Sequence, residues 1–316
     1  MLRENGTSNP PWKPWRTDLF PLGKPLSSRH NLVKLGSAVN VVIVGLAAKL
    51  WTKLNHFTVV NHESFIKAAE QNYNGSSNKP LLTISNHSSC LDDPVLWGAL
   101  LPWSWQINND RHRWIGAADD ICFTKSWHTL FFGMGQTFPV ERGKGIYQPA
   151  IDFAIQLLRD KKFLHCFPQG KVAEEFDVDN VKLVNSNCHS QLTLSNKEDH
   201  DAKPYHFKWG VSRLILETLE PGGAIDQLEL LPFYHIGMNE ILPNVKPYIP
   251  RIMKRVTVYI RKEGSIQFDN DLINWICQQH VISCKTMEDK RIAICKYLEN
   301  EVKKLKLEAM KAHWSI

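Results

Sequence analysis

The sequence has no apolar run approaching the roughly 20 residues needed to span hydrocarbon, which excludes a polytopic membrane architecture. It has no Cys-x-x-Cys pair, and its seven cysteines are an odd number, so neither a zinc ribbon nor a disulfide framework is indicated. A Gly-x-x-x-x-Gly-Lys-Ser/Thr phosphate loop, a secretory leader pattern and an internal repeat are all missing. Charge of one sign is also scarce: 38 Lys and Arg face 32 Asp and Glu. The net +6 fits an anionic partner without choosing among a membrane surface, a nucleic acid and a phosphorylated metabolite. Large apolar side chains are plentiful. With 14 Phe, 11 Trp and 7 Tyr in 316 residues, the chain can bury a large core in one or two domains. Eleven Trp are many for a soluble enzyme.

Residues 1–34 carry Pro10, Pro11, Pro14, Pro21 and Pro25 with Trp12 and Trp15, and read as an extended arm. Leu35–Ala48 is a 14-residue stretch without a charge. As a helix it reaches roughly 21 Å, short of the approximately 30 Å hydrocarbon core. It is either a buried core helix or a segment embedded in one leaflet. Trp51 and the Lys49 and Lys53 side chains favour the leaflet, so 35–54 is expected to be a monotopic anchor. From 55 to 265, short apolar runs alternate with helical stretches. Strands are predicted at Pro80–Ser85, Trp114–Ala118, Phe163–Phe167, Leu228–Phe233 and Val256–Arg261, and helices near Asp93–Leu101, Tyr147–Arg159 and Lys208–Leu219. This predicts an α/β fold: a central mixed sheet with flanking helices. The polar stretch 177–205 reads as a surface insertion. Residues 266–316 form a helical extension in which Ile294, Tyr297, Leu298, Val302 and Leu305 line one face.

Chemistry gathers where predicted strands run into polar turns. PLLTIS leads to Asn86–Pro94, KKFLHCF to Pro168–Lys171, and LELLPFY to His235–Gly237. In open α/β sheets such loops lie at the carboxyl ends of strands and can share a crevice. His87 and Asp92 lie five residues apart and cannot meet on a continuous helix. If the strand loop ends at His87 and Ser88 or Ser89 caps the next helix, Asp92 folds back to the ring. A carboxylate on one imidazole nitrogen fixes the tautomer and makes the other a better base, with the substrate supplying the hydroxyl. The spacing alone is also met by a surface His at a helix start, and Asp93 is a second candidate acid. Gly133–Gly145 is glycine-rich and carries Arg142 and Lys144, a composition suited to a phosphate or simply to a solvated turn. Cys90 reads as a packing thiol. Cys188, His189, His200 and His206 fit no metal-ligand spacing.

Taken in order, NHSSCLDDP (Asn86–Pro94), GQTFPVERG (Gly135–Gly143) and FPQG (Phe167–Gly170) resemble the His-x4-Asp glycerolipid acyltransferases. AADDICFTK (Ala117–Lys125), FKWGVSRLI (Phe207–Ile215) and PFYHIGMNEILP (Pro232–Pro243) resemble most of all the family's phospholipid–lysophospholipid transacylases. The resemblance implies His87 as general base and Asp92 as its orienter. It implies Arg142 and Gly143 as phosphate binders, Phe167, Pro168 and Gly170 as the acceptor pocket, and Pro232 as the mark of a fourth block. Gln169 departs from the family, which usually has Glu there. Gln keeps a carbonyl acceptor and loses a charge, leaving its role open between substrate hydroxyls and electrostatics.

The resemblance implies acyl transfer without coenzyme A, cofactor or metal. The expected partners are a membrane leaflet and phospholipids and lysophospholipids, namely cardiolipin, monolysocardiolipin and phosphatidylcholine. No nucleic acid is expected, and a homo-oligomer is left open. The implied location is mitochondrial, on membranes facing the intermembrane space. An acyl-CoA-dependent enzyme on the same fold and a non-catalytic membrane scaffold are the rival readings.

Overall fold

A computed structural model describes residues 15–73, 79–172, 206–220, 223–279 and 284–315. The strands are β1 (His56–Val60), β2 (Leu81–Ile84), β3 (Trp114–Ala118), β4 (Thr137–Val140), β5 (Phe163–Cys166), β6 (Leu228–Ile236), β7 (Arg255–Ile260) and β8 (Ile266–Phe268). The helices are α1 (Asn31–Lys53), α2 (His62–Tyr73), α3 (Asp92–Leu100), α4 (Trp103–Gln106), α5 (Asp119–Cys122) and α6 (Ser126–Met134). They continue with α7 (Pro149–Arg159), α8 (Gly210–Thr218), α9 (Met238–Ile241), α10 (Asn270–Gln279) and α11 (Met287–Trp314). The strands form one mixed sheet in the order β1-β7-β6-β2-β5-β3-β4, with β8 beside β6. All five predicted strands and all three predicted helices are present.

The missed strands have physical explanations. β1 and β8 are edge or off-path strands, and β4 hides inside the stretch read as a glycine-rich loop. Its apolar run, Thr137–Val140, is too short to carry a period.

The central strands β2 and β5 are nearly continuous apolar runs because helices cover both faces. On one face, α7, α8 and α11 bury Phe153, Leu157, Ile215, Ile294 and Leu298. On the other, α2 and α3 bury Phe65, Leu96 and Trp97 against Phe163 and Phe233. The amphipathic face of α11 is therefore core. Ile266–Phe268 pairs with β6 and α11 packs on β6 and β7, so the boundary drawn after residue 265 separates no structural unit.

The amino-terminal segment also differs from expectation. Leu19 and Phe20 are fully buried, and Trp15 packs on Phe20 and Phe153 while its Nε1 donates to the Phe20 carbonyl at 2.9 Å. The described part of the arm is thus a core strap, because three large apolar residues bury more favourably than they stay exposed. Helix α1 begins at Asn31 and lies along the domain. Ser37, Val41, Gly45, Ala48 and Thr52 form its buried stripe, spaced at helical period. The approach to α3 is close: a Cβ on Gly98 would sit 2.6 Å from the Ala48 carbonyl oxygen. Lys49 does not reach outward, since its Nζ donates to the Leu101 carbonyl at the end of α3 (2.7 Å). Trp51 packs inward as well. The opposite face of α1 is open, with Leu32, Leu35, Val39, Ile43, Leu50 and Leu54 exposed.

The 11 Trp divide accordingly. Trp97, Trp105 and Trp114 are core residues, whereas Trp103, Trp127, Trp209, Trp275 and Trp314 are exposed. Trp12 and the insertion 177–205, with Cys188, His189 and His200, lie outside the described residues.

Candidate active site

Strands β2, β3, β4, β5 and β6 run parallel, so the segments leaving their carboxyl ends share one edge of the sheet. The loop after β2 is tied to β6 by an asparagine that extends the strand ladder. Asn86 Nδ2 donates to the His235 carbonyl and the His235 N–H donates to Asn86 Oδ1, both at 2.9 Å. The next residue is His87.

His87 Nδ1 donates to Asp92 Oδ2 at 2.8 Å, the fold-back expected from the five-residue spacing. Asp92 is fully buried, and the same oxygen accepts the Ser88 and Ser89 N–H groups at 2.7 and 3.1 Å. Such donors offset part of the cost of burying a carboxylate. Because a carboxylate only accepts, the ring proton sits on Nδ1 and the Nε2 lone pair faces away from Asp92. The His87 side chain is 20% exposed, enough for a substrate to reach that nitrogen. Leu91, the residue before α3, makes no side-chain cap, but Ser89 Oγ accepts the Leu91 N–H at 3.3 Å and donates to the Leu242 carbonyl at 3.0 Å. Asp93 is turned away from the imidazole. It holds Arg113 through both carboxylate oxygens and accepts from Trp97 Nε1, which removes it as the orienting acid.

The turn after β5 supports the same imidazole. Phe167 stacks on the His87 ring with centroids 4.1 Å apart and planes at 10°. Gln169 Oε1 accepts the His87 N–H at 2.6 Å, and Gln169 is buried. Its side-chain carbonyl therefore holds the loop that carries the imidazole. Gly170 has φ +70°, which favours glycine, and its N–H closes the turn on the Phe167 carbonyl at 3.0 Å, while the Pro168 carbonyl accepts the Lys208 N–H at 2.8 Å.

Farther along the edge, Arg142 and Asp120 form a bidentate ion pair across the ends of β4 and β3, and both side chains are exposed. Gly143 (φ +85°) makes the turn beside Arg142. The Gln148 side chain staples that turn, accepting from Glu141 N and donating to the Glu141 and Gly145 carbonyls. Any phosphate at Arg142 would share the guanidinium with Asp120.

Pro232, the mark of the fourth block, sits within the sheet. It is buried in β6 opposite Ile84, below the loop, where it packs in the sheet. His235 is the β6 residue that reaches the site. Its Nε2 donates to the Asn86 carbonyl at 2.8 Å and lies 3.5 Å from Asp92 Oδ2. Burial keeps both His235 and His165 below the usual imidazole range. Sequence reading found the strand-to-turn junction at His235 but gave the residue no role, because its partners are 149 residues away. Cys90, read as a packing thiol, is exposed.

Residues 54–235 match the family model described as Acyltransferase. A tafazzin of Drosophila melanogaster is 37% identical over 70% of this chain and 49% of its own length, so the chain spans about half of that relative. A tafazzin of Dictyostelium discoideum is 30% identical over 84% of this chain and 78% of its own. An N-acylphosphatidylethanolamine synthase of Arabidopsis thaliana is 33% identical over 60% of this chain and 57% of its own. The chain belongs to the acyltransferase family and to its tafazzin branch.

Proposed function

We propose that this chain transfers a fatty acyl group from a phospholipid to a lysophospholipid without coenzyme A, with His87 as the general base. The observation that carries the proposal is the 2.8 Å bond from His87 Nδ1 to the fully buried Asp92, which leaves Nε2 available at a solvent-reachable surface. In the reaction, Nε2 takes the proton from the acceptor hydroxyl as its oxygen attacks the donor ester carbonyl. The tetrahedral intermediate collapses, the donor glycerol oxygen leaves with the proton returned from Nε2, and His87 is regenerated. Asp92 stabilises the transient imidazolium, and Phe167 keeps the ring plane fixed. Arg142 and the Gly143 turn supply positive charge and backbone donors for the acceptor phosphate.

Cardiolipin and monolysocardiolipin are the substrates this reading favours, supported by the tafazzin relatives and by the net +6 charge. A place on mitochondrial membranes facing the intermembrane space belongs to the same reading. The exposed face of α1 supports monotopic attachment: a helix packed along its length on α3 and α6 offers one apolar side to a leaflet. With Val39 and Ile43 both changed to Asp, the protein is expected to leave liposomes.

The deciding experiment incubates purified protein with acyl-labelled phosphatidylcholine and monolysocardiolipin in the absence of any CoA. Labelled cardiolipin is expected. Transfer that appears only when acyl-CoA is supplied overturns the transacylase reading. In a parallel incubation with phosphatidylethanolamine added, label on its amine, the chemistry named for the Arabidopsis relative, moves the acceptor from hydroxyl to amine.

A further inference from the structure

The segment between α9 and β7, residues 243–254, takes no part in the site chemistry described above, and its surface is unusual. Val245, Tyr248, Ile249, Ile252 and Met253 are 59, 53, 61, 51 and 74% exposed. Lys246, Arg251 and Lys254 are interspersed among them, and the sequence from Pro243 to Arg255 contains no acid. None of these three cations forms an ion pair among the described residues. Apolar side chains held outward among unpaired cations match the chemistry of an anionic phospholipid leaflet, with hydrocarbon below and phosphate at the rim.

The loop is held in this form by its backbone. Arg251 N–H donates to the Ile241 carbonyl at 2.7 Å, Met253 N–H to the Leu54 carbonyl at 2.8 Å, and Lys254 N–H to Asn55 Oδ1 at 3.0 Å. The first of these ties the loop to α9, and the other two join it to the end of α1, where Leu50 and Leu54 are exposed. The apolar surface of α1 therefore continues onto the loop. The base of the loop meets the site directly, because Ser89 Oγ, inside the His87–Asp92 segment, holds the Leu242 carbonyl. β7 runs antiparallel to β6 and β1 parallel to β7, so the loop and the end of α1 lie at the sheet edge that carries His87.

The geometry points to residues 243–254 as a second membrane-inserting element that docks the His87 edge of the sheet onto an anionic leaflet. Bound this way, the enzyme meets acyl chains and phosphates already oriented at the interface. This inference rests on the membrane attachment proposed above for α1, and its test separates the two.

The full chain is sedimented with vesicles of phosphatidylcholine alone and of phosphatidylcholine mixed with phosphatidylglycerol. Two double variants are compared with the unaltered protein, Ile249→Asp with Met253→Asp, and Lys246→Glu with Arg251→Glu. The apolar pair is expected to weaken binding to both vesicles by at least about tenfold, and the charge pair to weaken binding only to the anionic ones. Hydrogen exchange on the unaltered protein adds a readout independent of any variant: amides within 244–253 should slow when anionic vesicles are added. If both variants bind as the unaltered protein does while the Val39/Ile43 variant is released, α1 alone is the anchor and the loop proposal falls. If the unaltered protein ignores both vesicles, the attachment reading itself falls. Loop variants that keep their vesicle binding but turn an oligomer into a monomer assign the patch to a second copy of the chain and overturn the proposal.

Discussion

Replacing Gln169 tests how the site is held. Its Oε1 accepts the His87 N–H at 2.6 Å from a buried position, so Gln169→Leu removes an acceptor without removing much volume. A buried donor left without a partner costs about 1–3 kcal/mol. The loop can escape that cost by carrying its N–H toward water, and the arrangement in which His87 faces Asp92 and stacks on Phe167 then becomes a minor one. A shift of that size corresponds to roughly a 5- to 150-fold fall in turnover. Since the lost bond positions the base rather than the lipid, kcat should carry most of the loss and KM little of it. Gln169→Glu keeps an acceptor oxygen on a side chain of the same length and is expected to retain activity, which also explains how the family can use Glu here. The assay is steady-state acyl transfer with labelled phospholipid, run on all three proteins. Leu at 169 with an unaltered kcat, or a rise in KM alone, would refute the positioning argument and return position 169 to substrate contact.

Asp92→Asn removes the charge that stabilises the imidazolium and can present an amide donor to Nδ1, so transfer should fall by about 100-fold or more with the protein still folded by circular dichroism. Gly98→Val drives a side chain into the Ala48 backbone, which cannot rotate away. The expected loss is at least about 1–3 kcal/mol in urea unfolding, and an unchanged midpoint would contradict the close approach of α1 and α3. His112 is buried beneath α1, and burial lowers its pKa to about 4. The unfolded chain binds that proton near pH 6.5, so stability is full above this value and declines as pH falls toward 4. The loss reaches at most about 3 kcal/mol. His112→Gln should flatten the dependence of the melting temperature on pH between 7 and 5, and an unaltered slope would show that other groups carry it.

Much of the fold was legible because its signals are local. The apolar runs of β2, β3, β5, β6 and β7 and the periodic faces of α7 and α8 are set by neighbours within a few residues. The pairing of His87 with Asp92 was legible through the motif resemblance, since the five-residue spacing alone is equally met by a surface His at a helix start. Arg142 and Gly143 were visible as a turn with charge, but Asp120 as the partner of Arg142 was not. That pair depends on β3 and β4 lying side by side.

Local patterns along the chain specified the class of fold and the order of the motif blocks, and the motif resemblance marked the two residues that can act as base and orienter. The apolar periods set the backbone without reference to distant partners. Tertiary structure alone decided what each remaining residue does. It turned Asp93 toward Arg113, gave Gln169 to the His87 loop, sank Pro232 into the sheet and brought His235 beside Asn86. It also sorted the tryptophans between core and surface, and turned one stripe of α1 inward while leaving the other apolar face open. The physical reason is common to all of these: which polar atoms must be paired and which apolar faces are covered depends on chain segments tens to hundreds of residues apart. No local pattern carries that information.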